Sequence, residues 1–138
     1  MESTHELFHS IHQLSRRLTK HLNEALEPYG LFNAQWSVLF VLREKGTLTQ
    51  KELCEYLAVE APPMTRTIQR LLKQGYIEQI SCKDDKRKKF ISLTALAKAH
   101  FPLWEKAVLE KNEELVRELP ASIRGELKNI LTDWLKQI

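Results

Sequence analysis

The sequence predicts a mostly α-helical chain carrying one small β-hairpin. Three observations support this. Glycine and proline are scarce, four and five in 138 residues, while Leu, Glu, Lys and Ala fill long runs, a composition that favours helix. Apolar residues recur at spacings of three and four over most of the length. Between Tyr76 and Leu93 that spacing gives way to two β-like segments around the charged run Cys82–Lys88.

The first helix is marked by Leu7, Ile11, Leu14, Leu18, Leu22 and Leu26, one stripe that should end near Pro28-Tyr29-Gly30. Asn33 reads as the N-cap of a second helix holding Trp36, Leu39, Phe40 and Leu42, which stops around Gly46. Thr49-Gln50-Lys51-Glu52 is a capping box opening a short third helix with Leu53, Tyr56 and Leu57 inward. Pro62-Pro63 suits the first turn of the next helix, where missing N–H groups cost little. Its apolar side is Met64, Ile68, Leu71 and Leu72, and Gly75 is its expected C′ residue.

The β-like segments are Tyr76–Ile80 and Lys89–Leu93. Thr94 then caps a long helix with Ala97, Phe101, Trp104, Val108 and Leu115 on one side, and Pro102 inside the pattern predicts a kink or a broken first turn. Pro120 starts a last helix with Ile123, Leu127, Ile130, Leu131, Trp134, Leu135 and Ile138 inward. Both terminal helices are more apolar than one small domain needs. A two-fold dimer with interlocking chain ends is favoured over helices that fold back on their own domain.

Composition narrows the class. Hydrophobic content of 43% and charged content of 28% are ordinary for a globular protein. The net charge of +3 is modest but uneven: between Thr65 and Ile91 eight Lys and Arg oppose three Asp and Glu, leaving the remainder slightly negative. A basic face on a near-neutral body points to a phosphate-binding surface. The start, Met1-Glu-Ser-Thr-His-Glu, lacks a signal-peptide pattern, and Trp36–Leu42 is too short to cross a bilayer, so a cytoplasmic location without membrane contact is expected. Cys54 and Cys82 form no disulfide framework and lack metal-type spacing. No glycine-rich phosphate loop, nucleophile elbow or catalytic carboxylate pair appears, so neither an enzyme nor a cofactor is implied.

Capped short helix, turn, polar-faced helix and basic hairpin is the order of a winged helix-turn-helix, in which one helix enters the DNA major groove and the hairpin reaches the flanking backbone or minor groove. The hairpin Asp85-Lys-Arg87-Lys-Lys-Phe-Ile91-Ser-Leu93-Thr94 resembles the wing signature of MarR-type bacterial transcriptional regulators. Gln35-Trp36-Ser-Val38-Leu39 is similar to that family's second helix, and Met64-Thr65-Arg66 through Gly75-Tyr76-Ile77 to its recognition helix and first wing strand. The similarity runs through the whole chain in order. It departs at Ala97, where the family commonly has glycine, at Ile80-Ser81-Cys82, where an arginine is frequent, and at the unusual Pro62-Pro63.

The resemblance implies one domain over 1–138, with a DNA-binding lobe at 30–96 and dimerisation helices at 1–29 and 97–138. It implies a homodimer on a pseudo-palindromic double-stranded DNA operator, most often as a repressor, released by a small aromatic or phenolic effector through a change in separation or tilt of the two wings. Tyr29, Trp36, Phe40, Phe101 and Trp104 are core residues, some of which border an effector pocket in such proteins; the sequence does not choose among them.

The residues expected to meet DNA are Pro63, Thr65, Arg66, Gln69 and Arg70 in the recognition helix and Asp85, Lys86 and Arg87 in the wing. Arg66 and Arg70 lie four apart and face the same way; arginine forks onto guanine or clamps phosphate, and glutamine suits adenine. Thr65 meets a thymine methyl or a phosphate, or simply fills the first turn. Pro63 fixes the angle at which Thr65 and Arg66 are presented. The resemblance implies that Arg87 enters the minor groove, oriented by an ion pair with Asp85. His5, His9 and His12 form a polar stripe whose spacing allows two imidazoles to share a metal, yet an exposed face without metal is favoured. Two other functions are weaker: a winged-helix protein–protein adaptor, and a redox sensor using Cys82 beside Lys83 and Lys86.

Overall fold

The computed structural model describes residues 3–138, as six α-helices, one 3-10 turn and three short strands. Met1 and Glu2, the start of the segment read as lacking a signal peptide, lie outside the described residues. Helix α1 (Thr4–Leu26) opens on Ser3, whose hydroxyl accepts from the Glu6 N–H at 3.3 Å. A 3-10 turn at Glu27–Tyr29 follows, and Gly30 closes it at φ 71°. That left-handed backbone is one glycine adopts without a Cβ clash.

Helix α2 (Asn33–Lys45) corrects the sequence reading at its start. Phe32 is the N-cap, and Asn33 is already helical. The Asn33 N–H donates to Oδ1 of Asn23 in α1 at 2.6 Å, and the Phe32 N–H donates to Oε1 of Gln35 at 2.9 Å. The orphan donors of this terminus are therefore served from another helix and from within, a pairing that no local spacing announces.

Strand β1 (Leu48–Thr49) leads into α3 (Gln50–Leu57), where the capping box forms as read: Glu52 N–H donates to the Thr49 hydroxyl at 3.1 Å, and Thr49 N–H to the Glu52 carboxylate at 3.0 Å. Helix α4 (Ala61–Gln74) carries both prolines in its first turn. Its first turn-closing bond is Met64 N–H to Glu60 carbonyl, 3.2 Å, so neither proline removes one. Gly75, at φ 81°, ends it with bonds from Gly75 N–H to Leu72 and Tyr76 N–H to Leu71 carbonyls, both 3.1 Å.

Strands β2 (Ile77–Ser81) and β3 (Lys89–Leu93) pair antiparallel, with Ile77 opposite Leu93 and Ser81 opposite Lys89. The first starts one residue later than the sequence suggested. Strand β1, which the sequence reading missed, adds to the other edge of β3 with Leu48 opposite Ile91, giving the order β1-β3-β2. Two residues are too few for a periodic signal; the strand exists because β3 offers it an edge.

Helix α5 (Ala95–Leu115) is capped by Thr94, whose hydroxyl accepts from Ala97 N–H at 3.2 Å and donates to the Gly75 carbonyl at 2.7 Å. It continues through Pro102, so the expected broken turn does not occur. Helix α6 (Ala121–Gln137) is held to the end of α5 by Arg124, which donates to the Val116 and Leu119 carbonyls at 2.9 and 2.8 Å. A cation at the Val116 carbonyl also suits the negative end of α5.

The core joins Leu26 and Leu31 to the inner faces of α2, α3, α4, α5 and the sheet, with Trp36, Leu39, Leu53, Met64, Ile68, Leu71, Ile91, Phe101 and Trp104 all buried. Trp36 stacks on Phe101 with centroids 5.2 Å apart, and Phe101 meets Trp104 edge to face at 6.4 Å. Tyr56 and Phe40, expected inward, are exposed instead. Tyr56 lies under Lys45, 4.6 Å from Nζ to ring centroid, and Phe40 lies against Trp36. The expected inward face of α6 is likewise exposed within one chain: Ile123, Leu127, Ile130, Leu131, Leu135 and Ile138 all face out, and only Trp134 is half-buried, near Phe8.

Candidate nucleic-acid interface

Helix α4 is strongly two-sided. Met64, Ile68 and Leu71 are buried, while Pro63, Arg66, Gln69 and Arg70 are exposed on the other side. The spacing of the apolar three dictates which residues remain outside. Thr65 sits between the two faces. Its hydroxyl oxygen accepts from Nε2 of Gln50 at 2.8 Å, which fixes the second turn of α4 to the start of α3 and leaves the Thr65 O–H to donate elsewhere. Gln50 was legible only as part of the capping box; nothing local marks its reach across fifteen residues.

The arginines are placed by α2. Arg70 lies over the exposed Phe32 ring, 5.9 Å from guanidinium carbon to centroid, within the range in which a cation and an aromatic face attract. Phe32, Ala34 and Gln35 from the start of α2 and Pro63, Arg66, Thr67 and Arg70 from α4 line one groove of about 310 Å³. The groove thus combines two guanidinium groups with a helix N-terminus, all favourable to an anion. Phe32 is a further residue the sequence reading did not single out.

At the hairpin, Cys82 N–H donates to the Lys88 carbonyl at 2.8 Å and Lys88 N–H to the Asp85 carbonyl at 3.0 Å, closing the tip around residues 83–87. Asp85 holds Arg87 three ways. The backbone N–H donates to Oδ1 at 3.0 Å, Nε to Oδ1 at 3.2 Å, and a terminal nitrogen reaches Oδ2 at 3.5 Å. Arg87 side-chain and backbone donors hold the Asp85 carboxyl below its ordinary range. The Arg87 side chain is 93% exposed, so the pair orients an arginine that remains free to contact a partner. The value of such an exposed pair lies in direction, not stability.

Asp85, Arg87, Lys88 and Lys89 border a second and larger cleft of about 870 Å³, shared with Thr49–Glu52, Glu60 and Ala61. The structure therefore brings the hairpin tip and the start of α4 to one cleft, and Pro63, Arg66 and Arg70 to a separate groove. Gln69 and Lys86 are exposed and line neither. Glu52 is held below the ordinary carboxylate range, chiefly by the Thr49 backbone N–H.

Elsewhere, an apolar cavity of about 400 Å³ lies between α1, α5 and α6, lined by Ile11, Leu14, Leu18, Leu115, Leu127 and Leu131 with Asn33 and Lys111 among the polar groups. His5 and His9 stack at 6.4 Å, and among the described residues no group of three or more His, Cys, Asp or Glu is placed to hold a metal ion. Both cysteines are unpaired and half-buried. No helix among the described residues is long and apolar enough to cross a membrane.

Comparison with known proteins matches this geometry. A sequence model described as MarR family matches residues 29–88, the span from the 3-10 turn to the hairpin tip. The HTH-type transcriptional regulator YwoH of Bacillus subtilis (strain 168) is 39% identical over 131 residues, covering 95% of each chain. The multiple antibiotic resistance protein MarR of Escherichia coli (strain K12) is 30% identical over 139 residues, covering 95% of this chain and 96% of that one. The crystal structure of a mutant MarR from E. coli complexed with operator DNA superposes with a TM-score of 0.84 at 29% identity, covering 94% of each chain.

Proposed function

The chain belongs to the MarR family of transcriptional regulators, and we propose that it represses transcription as a homodimer on a pseudo-palindromic operator from which a small-molecule effector releases it. The observation that carries this reading is the Asp85–Arg87 pair, which holds one exposed guanidinium at the tip of a hairpin that shares a cleft with the start of α4. The E. coli relative's structure in complex with operator DNA supports it.

In this reading Thr65, Arg66, Gln69 and Arg70 enter the major groove, Pro63 sets their approach, and Lys86 and Arg87 reach the flanking minor groove and backbone with Asp85 as orienting partner. The groove between Phe32 and Arg70, with two guanidinium groups at its border, supports a phosphate contact for Arg66 and Arg70 beside a base contact. The apolar faces of α1 and α6 pair two copies. An effector between the helices and the lobe changes the separation of the two wings, so both half-sites are lost together. The relatives are transcriptional regulators, which disfavours an enzyme.

Selection from a random DNA library with the full chain tests this. The expected product is a two-fold symmetric sequence with half-site centres about one helical turn (~10 bp) apart. Enrichment of no palindrome would return the reading to a protein–protein adaptor. Gln69→Ala and Arg70→Ala should each cost about 1–3 kcal/mol on the selected site and relax preference at one base pair, where the side chain reads a base edge.

A further inference from the structure

We propose that the side-chain amides of Gln35 and Gln74 are positioning residues that set the tilt of the recognition helix against the dimerisation helix, and so fix the half-site spacing the dimer accepts. Gln35 is 2% exposed in the core of α2. Its Nε2 donates to Oε1 of Gln74, the last residue of α4, at 2.6 Å, and Nε2 of Gln74 donates in turn to the Gly30 carbonyl at 2.9 Å. The Gln35 Oε1 is taken by the Phe32 N–H. One unbroken relay therefore ties the end of α4 to the start of α2 and to the turn that ends α1. Asn23 makes a parallel tie from α1 to the Asn33 N–H.

The placement matters because apolar contact is non-directional, whereas hydrogen bonds hold both distance and angle. Leu26 and Leu31 seal α1 against the lobe, yet packing of that kind permits small rotations of one helix over another. The relay acts on the far end of α4. Gln74 lies about 13 Å along the axis from Thr65, at 1.5 Å per residue, so a change of angle at Gly30 is carried to the DNA-facing turn. Gly30 itself is at φ 71°, and a Cβ there would stand 3.8 Å from the Gln74 amide nitrogen; the turn leaves its carbonyl open to that donor.

This inference rests on the proposed dimeric operator reading, and its test is arranged so that the two fail separately. The half-site selected by the wild-type chain is placed in a library of paired sites with variable spacers. Wild type should select one spacing sharply; if it prefers paired sites no more than single half-sites, the dimeric reading fails. Gln74→Glu keeps an acceptor for Gln35 but loses the donor to Gly30. It should retain the same half-site sequence while its discrimination between best and adjacent spacings falls about three- to tenfold, the range for loss of one hydrogen bond. Gln74→Met should do the same and lower the thermal midpoint, because the buried Gln35 amide is left unpaired. The Gln35→Met, Gln74→Met pair also leaves the Phe32 N–H without its acceptor, so its midpoint should be no higher than that of Gln74→Met and its spacing discrimination should stay lost. If affinity drops equally at all spacings, or if the paired variant regains wild-type spacing discrimination, the two glutamines are merely structural and the proposal is overturned.

Discussion

The lobe formed by α2 to β3 and the terminal helices α1 and α6 differ sharply in how much of their apolar surface one chain can cover. Helix α2 buries Gln35, Trp36, Val38, Leu39, Val41 and Leu42 over thirteen residues, while α1 buries only Leu26 over twenty-three and α6 buries none over seventeen. Yet α1 and α6 carry leucines and isoleucines at helical spacing as regular as those of the lobe. Periodicity records which face must leave water, without recording whether the cover comes from the same chain. An exposed row containing Leu14, Leu18, Leu127, Leu131 and Leu135 is what the proposed dimer explains.

Removing residues 121–138 should leave the lobe folded but abolish tight operator binding, with the product sedimenting as monomer or aggregate. A truncated chain that remains dimeric and binds as wild type would show that α6 covers nothing of consequence. Full-length protein that sediments as a monomer at micromolar concentration would end the dimer reading altogether.

A pair of truncations inside the two regions sharpens the contrast. Leu71→Ala, at a fully buried position in the lobe, should cost about 2–5 kcal/mol in denaturant unfolding, independent of protein concentration. Leu131→Ala, 43% exposed within one chain, should cost less than about 0.5 kcal/mol if α6 faces water. A larger cost that depends on protein concentration is expected from the dimer.

At the DNA-facing side, Arg87→Ala should weaken binding while leaving the selected core sequence unchanged, because a wing arginine reads phosphate and groove shape. The slope of log affinity against log salt should fall by about 1 per subunit, so about 2 for a dimer. Unaltered affinity at moderate salt would remove the hairpin from the interface. The same pair carries a pH signature. Because Arg87 lowers the Asp85 pKa in the folded chain, the orienting contact is fully present above the ordinary aspartate value and is lost as pH falls through the lower, folded value. Operator binding near neutral pH should therefore show no step attributable to Asp85.

The smallest effect is expected at the cysteines. Cys54→Ser with Cys82→Ser should bind DNA and respond to effector as the wild type does. Loss of a peroxide response in that variant, with wild type releasing normally, would make the protein a redox sensor.

Neighbouring residues alone specify the local grammar of this chain: the Thr49–Glu52 box, the Thr94 cap, the Gly75 terminus and the proline-tolerant first turn of α4. Each is closed by partners three to five residues apart, so the residues that make the bond are also neighbours in the string. The Asp85–Arg87 pair was legible for the same reason, two residues apart. Helix packing had to supply the contacts whose partners are distant: Asn23 capping α2, Gln50 holding Thr65, Arg70 over Phe32, and Gln35 joined to Gln74 across thirty-nine residues. Strand β1 and the outward turn of Tyr56 belong with them. Such pairs leave no periodic trace, because chain geometry brings the partners together only after the helices have packed.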